Sequence, residues 1–351
     1  MRAADDGRAG LVARMVGIKD VARQAGVSVG TVSNVINRPE AVAEETRARV
    51  LAVIERLGYV RSESARQLRA GRSRIVAVLV PDMSNPFYVD VAAGAERAAR
   101  AAGLGVMLCT SAGDPSEEAE YLSLFAEQRV RGVLVAPTDP GGGNLGAFGR
   151  HGIPFVTADR TLPGAPGCSV SVDDVAGGAL AARHLVDLGH RDIAYVGAPA
   201  HLAQCRDRIA GARAALAGAG LDPDSLRQVE AARQDAAAGR DAGARLLAAA
   251  PRPTAVFCAN DLLALGVLQA LYGAGVRVPG EVALVGCGDI DFAAAAAVPL
   301  TSVRRPARRT GRLAAELLIE ETGEGAAEHE HRRVVLRPEL VVRESTGTPA
   351  D

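Results

Sequence analysis

The sequence predicts a small all-α head of helix-turn-helix type in front of a much larger α/β core built on parallel sheets. Three observations carry this. The stretch IKDVARQAGVSVGTVSNVIN, residues 18–37, has the apolar spacing of two short helices around a glycine. From residue 74 the chain alternates short apolar runs with helical stretches, the pattern of β-α units. A length of 351 residues, with 48% hydrophobic and 23% charged residues, gives room for two or three globular domains.

In the head, Ile18, Val21, Ala22 and Ala25 fall at i, i+3, i+4 and i+7, one apolar face of a helix that Gly26 ends. Ser28 can cap a second helix burying Val32, Val35 and Ile36. Two helices around a glycine turn, in a basic segment, describe either a DNA-binding helix-turn-helix or a generic helical hairpin, and the pattern leaves both open. On the first reading Val29, Gly30, Ser33 and Asn34 face the major groove. There an asparagine amide can bond adenine and a valine can pack on a thymine methyl. A third helix, Glu44 to Leu57, buries Val50, Val53, Ile54 and Leu57, and its two leading glutamates suit the helix dipole. The following RSESARQLRAGRSR reads by composition as a basic linker, in which Ser62 can cap one more short helix carrying Arg66, Arg69 and Arg72 around Leu68.

Charge separates the same two parts. The net charge of −1 hides +4 over residues 16–73 and −6 over residues 74–351, so a polyanionic partner is expected to meet the head alone. No run approaches the ~18 apolar residues of a membrane span. Residues 1–15 lack an apolar segment with a cleavage site, which argues against export and for the cytoplasm, and Met15 is an alternative start. Five cysteines (109, 168, 205, 258 and 287) are scattered without a CxxC pair, arguing against a structural zinc and against disulfides.

In the core, strands are expected at Ile75–Val80, Val106–Cys109, Val133–Ala136, Phe155–Thr157, Ile193–Val196, Ala255–Cys258 and Val282–Val285. Helices are expected at Val89–Ala102, Ala176–Leu188, Ile209–Ala219 and Asp261–Ala274. Open parallel sheets bind ligands at strand C-terminal ends. Those ends carry Asn85, Phe87 and Tyr88; Asp159 and Arg160; and Asn260 and Asp261, with Arg208 ahead of a helix. Carboxylate, amide and guanidinium groups bond hydroxyls, and aromatic rings stack on sugar faces. Singly, each is as well a cap or a surface charge, and Asp261 in particular reads as a helix cap. GGGNLG, residues 141–146, matches a dinucleotide fingerprint but lies in the third β-α unit, five residues past its strand and before a very short helix; a glycine-rich surface loop is the better reading. EHEH, residues 328–331, lacks helical ligand spacing and reads as a solvated connector. Neither GxSxG nor HExxH occurs.

These segments together, continued by PDMSNPF, ADR, RHLVDLGHRDIAYVG, CANDLLALG and PELVVRES, resemble the LacI/GalR family from residue 17 to 346. The resemblance implies a periplasmic-binding-protein-like core of two doubly wound subdomains, with crossings near 173, 303 and 332. Subdomain one would hold about 74–172 and 304–331, and subdomain two about 173–303 and 332–346. It also implies a head over 16–60, a hinge over 61–73 whose Leu68 wedges into the minor groove, and a homodimer, with a tetramer left open, on a pseudo-palindromic operator. DNA would be met by Ser28, Val29, Gly30, Thr31, Ser33, Asn34, Asn37, Tyr59, Arg66 and Leu68. A small sugar-like effector would be met by Asn85, Phe87, Tyr88, Asp159, Arg160, Arg208, Asn260 and Arg305. No cofactor, metal, membrane or catalytic step is implied.

The chain departs from that pattern at several places. Gly30 and Asn34 alter two recognition positions, Ala43 replaces a capping serine, and Arg61-Ser62 replaces Pro-Asn before the hinge. Gly288 replaces an aspartate that commonly holds sugar hydroxyls, and Arg305 a frequent neutral amide. This swing toward positive charge, leaving Arg160 and Arg208 short of carboxylates, favours an anionic effector such as a phosphorylated or acidic sugar. The alternative is that Arg305 faces solvent or pairs with Asp289 around a neutral sugar. Two other classes of function compete with this one: a nicotinamide-dependent enzyme using the glycine-rich loop, and a stand-alone sugar-binding protein.

Overall fold

The computed structural model describes residues 16–60, 73–139, 141–162, 164, 166–198 and 202–349, which fall into two units divided at residue 73. The hinge expected at 61–73, with Arg61, Ser62, Arg66 and Leu68, lies outside the described residues except for Ser73.

The head consists of α1 (Ile18–Ala25), α2 (Val29–Asn37) and α3 (Glu44–Leu57). Gly17 N–H donates to the Asp20 carboxylate at 3.0 Å, fastening the start of α1. The helix ends at Gly26 with φ +66°, a conformation glycine adopts without a Cβ penalty, and Val27 N–H returns to the Ala22 carbonyl at 3.0 Å. Ser28 caps α2 as expected, its hydroxyl accepting from Thr31 N–H at 3.0 Å. Val21, Ala22, Ala25, Val32, Val35, Val50 and Val53 make the buried centre, with Ile18, Ile36, Ile54, Leu57 and Tyr59 packed around it. Ala43 precedes α3 with no side-chain cap, which costs the helix about 1 kcal/mol relative to serine.

The core unit runs β1 (Ile75–Val80), α4 (Pro86–Ala101), β2 (Gly105–Thr110), α5 (Pro115–Glu127), β3 (Gly132–Val135), α6 (Gly143–Gly149), β4 (Phe155–Asp159) and β5 (Ser169–Val172). It continues with α7 (Asp174–Asp187), β6 (Ile193–Gly197), α8 (Ala203–Gly218), β7 (Arg227–Glu230), α9 (Ala236–Ala248), β8 (Ala255–Cys258), α10 (Asp261–Gly273) and β9 (Ala283–Gly288). Last come α11 (Asp291–Ala294), β10 (Thr301–Arg304), α12 (Ala307–Glu321), β11 (Arg333–Leu336) and β12 (Glu339–Val341).

Two six-stranded sheets result, β11-β5-β4-β3-β1-β2 and β12-β10-β9-β8-β6-β7. All neighbours are parallel except the β10–β12 pair. Each sheet repeats the same doubly wound order, with its switch point between β1 and β3 or between β6 and β8, and each gains its sixth strand from the C-terminal segment. Almost every residue of the central strands is buried, because helices cover both faces.

The chain crosses between the sheets at Asp173, at Arg305-Pro306 and at residues 337–338. The third crossing expected near 332 is thus displaced. Residues 333–336 pair with β5 in the first sheet, and it is the following Arg337-Pro338 that carries the chain over. Short strands β5, β7, β10, β11 and β12 and helices α5, α9 and α12 were not anticipated individually. Four-residue strands such as RQVE and TSVR carry too little periodicity to stand out.

Candidate functional site

On the head, the N-terminal face of α2 presents Ser28, Val29 and Gly30, with Asn34 one turn on, all exposed. Val29 keeps 37% of its surface in solvent although it opens a helix in a packed unit. Thr31 is tied to Ser28 through its hydroxyl at 2.9 Å, and the Asn37 amide donates to the Ser33 carbonyl at 2.7 Å. Tyr59 is half-buried against the head's apolar centre.

In the core, the C-terminal ends of both sheets enclose a cleft lined by Asn85, Phe87, Tyr88, Asp159, Arg208, Asn260 and Arg305, together with Gln204, Gln234, Cys287, Gly288 and Ile290. Seven of the eight residues expected to hold a ligand therefore meet in one place. Arg160 is half-buried and acts electrostatically on Tyr88 and Asp159 without lining this cleft.

The centre of the cleft is a chain of charges. Arg305 donates to Asp159 from the crossing between β10 and α12, and Tyr88 O–H donates to the other Asp159 oxygen at 3.0 Å. The guanidinium of Arg305 sits 4.3 Å from the Phe87 ring centroid, a cation–π contact. Arg208 donates to Asp174 through Nε at 3.0 Å and Nη2 at 2.8 Å. Close packing of α7 on α8 sets this pair: a Cβ on Gly178 would collide with the Arg208 carbonyl. Asp159 takes φ +72°, a left-handed backbone that costs a non-glycine residue about 1–3 kcal/mol and persists where its surroundings enforce it. Burial would raise the Asp159 carboxyl, but the cations of Arg305 and then Arg160 outweigh it and hold the group below the usual carboxylate range. Burial, and next the Asp159 charge, push the Tyr88 phenol far upward.

This geometry corrects two expectations. Arg208 is not short of a carboxylate, because Asp174, which the sequence pattern did not single out, supplies one, and Arg305 is matched by Asp159. Nor does Arg305 reach solvent or Asp289; Asp289 pairs with Arg304 and Arg343. Arg208 and Arg305 are thus each matched by a carboxylate, and the half-buried Arg160 adds its charge from beside the cleft. What stays unsatisfied is smaller: the buried Arg305 Nε donor and the buried Gln204 Oε1 acceptor have no hydrogen-bond partner.

Asp261 is likewise not a cap. Asn260 caps α10, accepting from Leu263 N–H at 2.8 Å and donating to the Gln234 carbonyl at 2.9 Å. Asp261 instead accepts from Ser302 Oγ at 2.6 Å and Ile290 N–H at 3.0 Å, tying β10 to the loop after β9. Gly288, at φ +136°, leaves room for that carboxylate, since a Cβ would stand 3.0 Å from Asp261 Oδ2. Burial raises the Asp261 carboxyl to about 6, against the hydrogen bonds from Ser302 and Ile290.

A raised carboxyl pKa means that the folded state holds the proton more tightly. The stability this confers is present near pH 4 and is lost as pH rises through about 6. Asp261→Asn, which can keep both hydrogen bonds, is expected to flatten that window and to gain up to about 3 kcal/mol over the parent at pH 7. Urea unfolding of both proteins at pH 4.5 and pH 7 checks this; equal pH slopes would show that Asp261 does not titrate there.

The GGGNLG segment is a short-helix loop, as expected. Asp139 occupies the position a phosphate would need, accepting from Gly141 N–H at 3.0 Å and Asn144 N–H at 3.1 Å, and α6 spans only Gly143–Gly149. Among the described residues no helix is long and apolar enough to cross a membrane.

Residues 17–62 match the family described as bacterial regulatory proteins, lacI family, and residues 182–346 match a periplasmic binding protein-like domain. The HTH-type transcriptional repressor PurR of Photobacterium profundum is 36% identical over 333 residues, covering 94% of this chain and 98% of the relative. The solved lac repressor dimer bound to operator and the anti-inducer ONPF superposes with TM-score 0.82 at 26% identity, over 95% of this chain and 100% of that one. A complex of the transcriptional regulator CelR with cellobiose aligns with TM-score 0.68 at 33% identity, over 94% of this chain and 99% of that one.

Proposed function

Since the chain belongs to the LacI family of bacterial regulatory proteins and is a DNA-binding repressor with a small-molecule ligand, we propose that it binds a pseudo-palindromic operator as a homodimer in the cytoplasm and that its effector is a neutral, hydroxyl-rich sugar. Two related proteins support the parts: the lac repressor neighbour is a dimer on operator, and CelR holds cellobiose. The exposed face of α2, Ser28, Val29, Gly30 and Asn34, reads base edges, with Thr31, Ser33, Asn37 and Tyr59 positioning it; Arg66 and Leu68 are assigned to the hinge contact. No catalytic step is assigned to any residue.

The single observation that carries the effector class is the pair of orphaned groups in the cleft. Gln204 Oε1 is a buried acceptor without a partner, costing about 1–3 kcal/mol, and Arg305 Nε is a buried donor without a hydrogen bond, its charge contact to Asp174 Oδ1 standing at 3.6 Å. Hydroxyl groups can satisfy both, because they accept and donate; a phosphate only accepts at neutral pH. The Tyr88–Asp159 pair then offers acceptors for further hydroxyls, beside a Phe87 ring that carries the Arg305 guanidinium on one face. With Arg208 and Arg305 each paired to a carboxylate, the lining of the cleft itself carries no cationic excess to call for an anionic effector. Asn85 and Asn260 complete the expected contact set around this centre, with Arg160 acting on it by charge from outside the lining.

A ligand bridging Gln204 on the second subdomain and Arg305 on the crossing between subdomains favours one arrangement of the two sheets, and so alters DNA affinity by differential binding. Calorimetric titration of the intact protein with ribose, cellobiose and ribose 5-phosphate tests the class. A neutral sugar is expected to bind, and Gln204→Leu to weaken it about tenfold, equivalent to ~1.4 kcal/mol. Tighter binding of the phosphorylated sugar, unaffected by Gln204→Leu, would overturn the assignment.

A further inference from the structure

The folded chain brings Cys168 to three metal-ligand side chains more than 150 residues further on, away from the cleft. Cys168 precedes β5, Glu321 ends α12, and His329 and His331 sit on the connector into β11. Their ligand atoms all lie within 4.8 Å of one another. Cys168 Sγ is 3.2 Å from His329 Nε2, which is 3.5 Å from Glu321 Oε1, which is 3.2 Å from His331 Nδ1. A tetrahedral zinc with ligands at roughly 2.0–2.3 Å requires ligand–ligand separations of about 3.3–3.8 Å. Three of the contacts therefore stand near that spacing already. The residue pattern His-Glu-His explains the approach of the two imidazoles: the connector is extended at His329, and alternate residues of an extended chain face one side.

The outer groups also fit a metal. The remaining nitrogen of His329, Nδ1, faces Glu320 at 3.7 Å, the carboxylate–histidine arrangement that orients a ligating imidazole. Arg332 N–H points at Cys168 Sγ at 3.2 Å, as backbone amides do toward bound thiolates. One thiolate, one carboxylate and two neutral imidazoles cancel a divalent charge, so the buried site would be neutral overall. The expectation of a solvated connector is not met by His329, whose side chain is 8% exposed; His331 remains open to solvent and provides an entry path.

We propose that Cys168, Glu321, His329 and His331 form a binding site for a borderline-soft divalent transition metal of the zinc type. The site lies where the strands of the first sheet begin, opposite the cleft, and the metal would tie the start of β5, the end of α12 and the connector together. Absence of a second ligand near Cys168 hid the site from sequence inspection, since the other three ligands lie more than 150 residues away.

Titration of chelator-treated full-length protein with Co²⁺ and then Zn²⁺ tests the proposal. One equivalent of Co²⁺ is expected to give a thiolate-to-cobalt charge-transfer band, which Zn²⁺ removes while raising the melting temperature. Glu320→Gln should weaken Zn²⁺ binding about 10–100-fold. His331→Gln, at an exposed position that folding tolerates, and Cys168→Ser should weaken it further and abolish or alter the band, whereas Cys109→Ser changes nothing. Lack of a thiolate band in the parent protein, or a band and affinity unchanged in the His329→Gln/His331→Gln pair, would show only a hydrogen-bonded cluster and overturn the proposal.

Discussion

Removal of residues 1–73 is expected to abolish operator binding, with a loss of at least about 10³-fold, while the remaining chain stays folded and binds effector with unchanged affinity. The reason lies in both units. The head has its own apolar centre of seven buried residues and the positive charge, whereas residues 74–351 carry −6 and have separate cores around each sheet. Negatively charged surfaces gain nothing from releasing DNA counterions. Gel-shift titration against operator selected from random DNA measures the loss. Residual specific binding by residues 74–351 would place base recognition outside the head.

Asp159→Ala is expected to destabilise the core by about 3–5 kcal/mol, because it leaves the Arg305 guanidinium buried with only a 3.6 Å approach to Asp174. Side-chain exposures of 6% for Arg305 and 2% for Asp159 leave no solvent to compensate. Replacing both partners, Asp159→Leu with Arg305→Met, should recover most of the loss, since two apolar groups need no desolvated partner. Urea unfolding of the two variants and the parent forms the test. A loss under about 1 kcal/mol in Asp159→Ala would mean that the pair behaves as a solvent-screened one. Effector binding should be lost in both variants, separating the stability of the cleft from its ligand chemistry.

The head was the most legible part of the chain. Gly26, Ser28 and the apolar spacing of Ile18 to Ile36 act within a turn or two of themselves, so the three helices appear with the expected buried valines, α1 ending at Gly26 and α2 capped by Ser28. Central strands such as Ile75–Val80 were equally plain, because burial on both faces demands an unbroken apolar run. The edge strands β7, β11 and β12 were not, as short half-exposed segments owe their conformation to the neighbour they pair with. Likewise Asp159 was recognisable as a cleft residue by its place after a strand, Arg208 by an expected place ahead of a helix although it lies inside α8, and Arg305 through the family resemblance, but their partners were not.

Local order thus follows from the sequence through short-range physics: helix caps, glycine turns, apolar periodicity and the sign of charge along the chain. Tertiary structure alone decided which charges meet. Asp174 neutralises Arg208 from 34 residues away, Arg305 reaches Asp159 across 146, and Cys168 meets His329 across 161. The crossing at residues 305–306 creates the last two encounters by returning the chain to the first sheet, and close packing of α7 on α8 creates the first. No local pattern encodes them, because electrostatic pairing and metal-ligand geometry depend on distance in space, and distance in space is set by how two parallel sheets exchange their last strands.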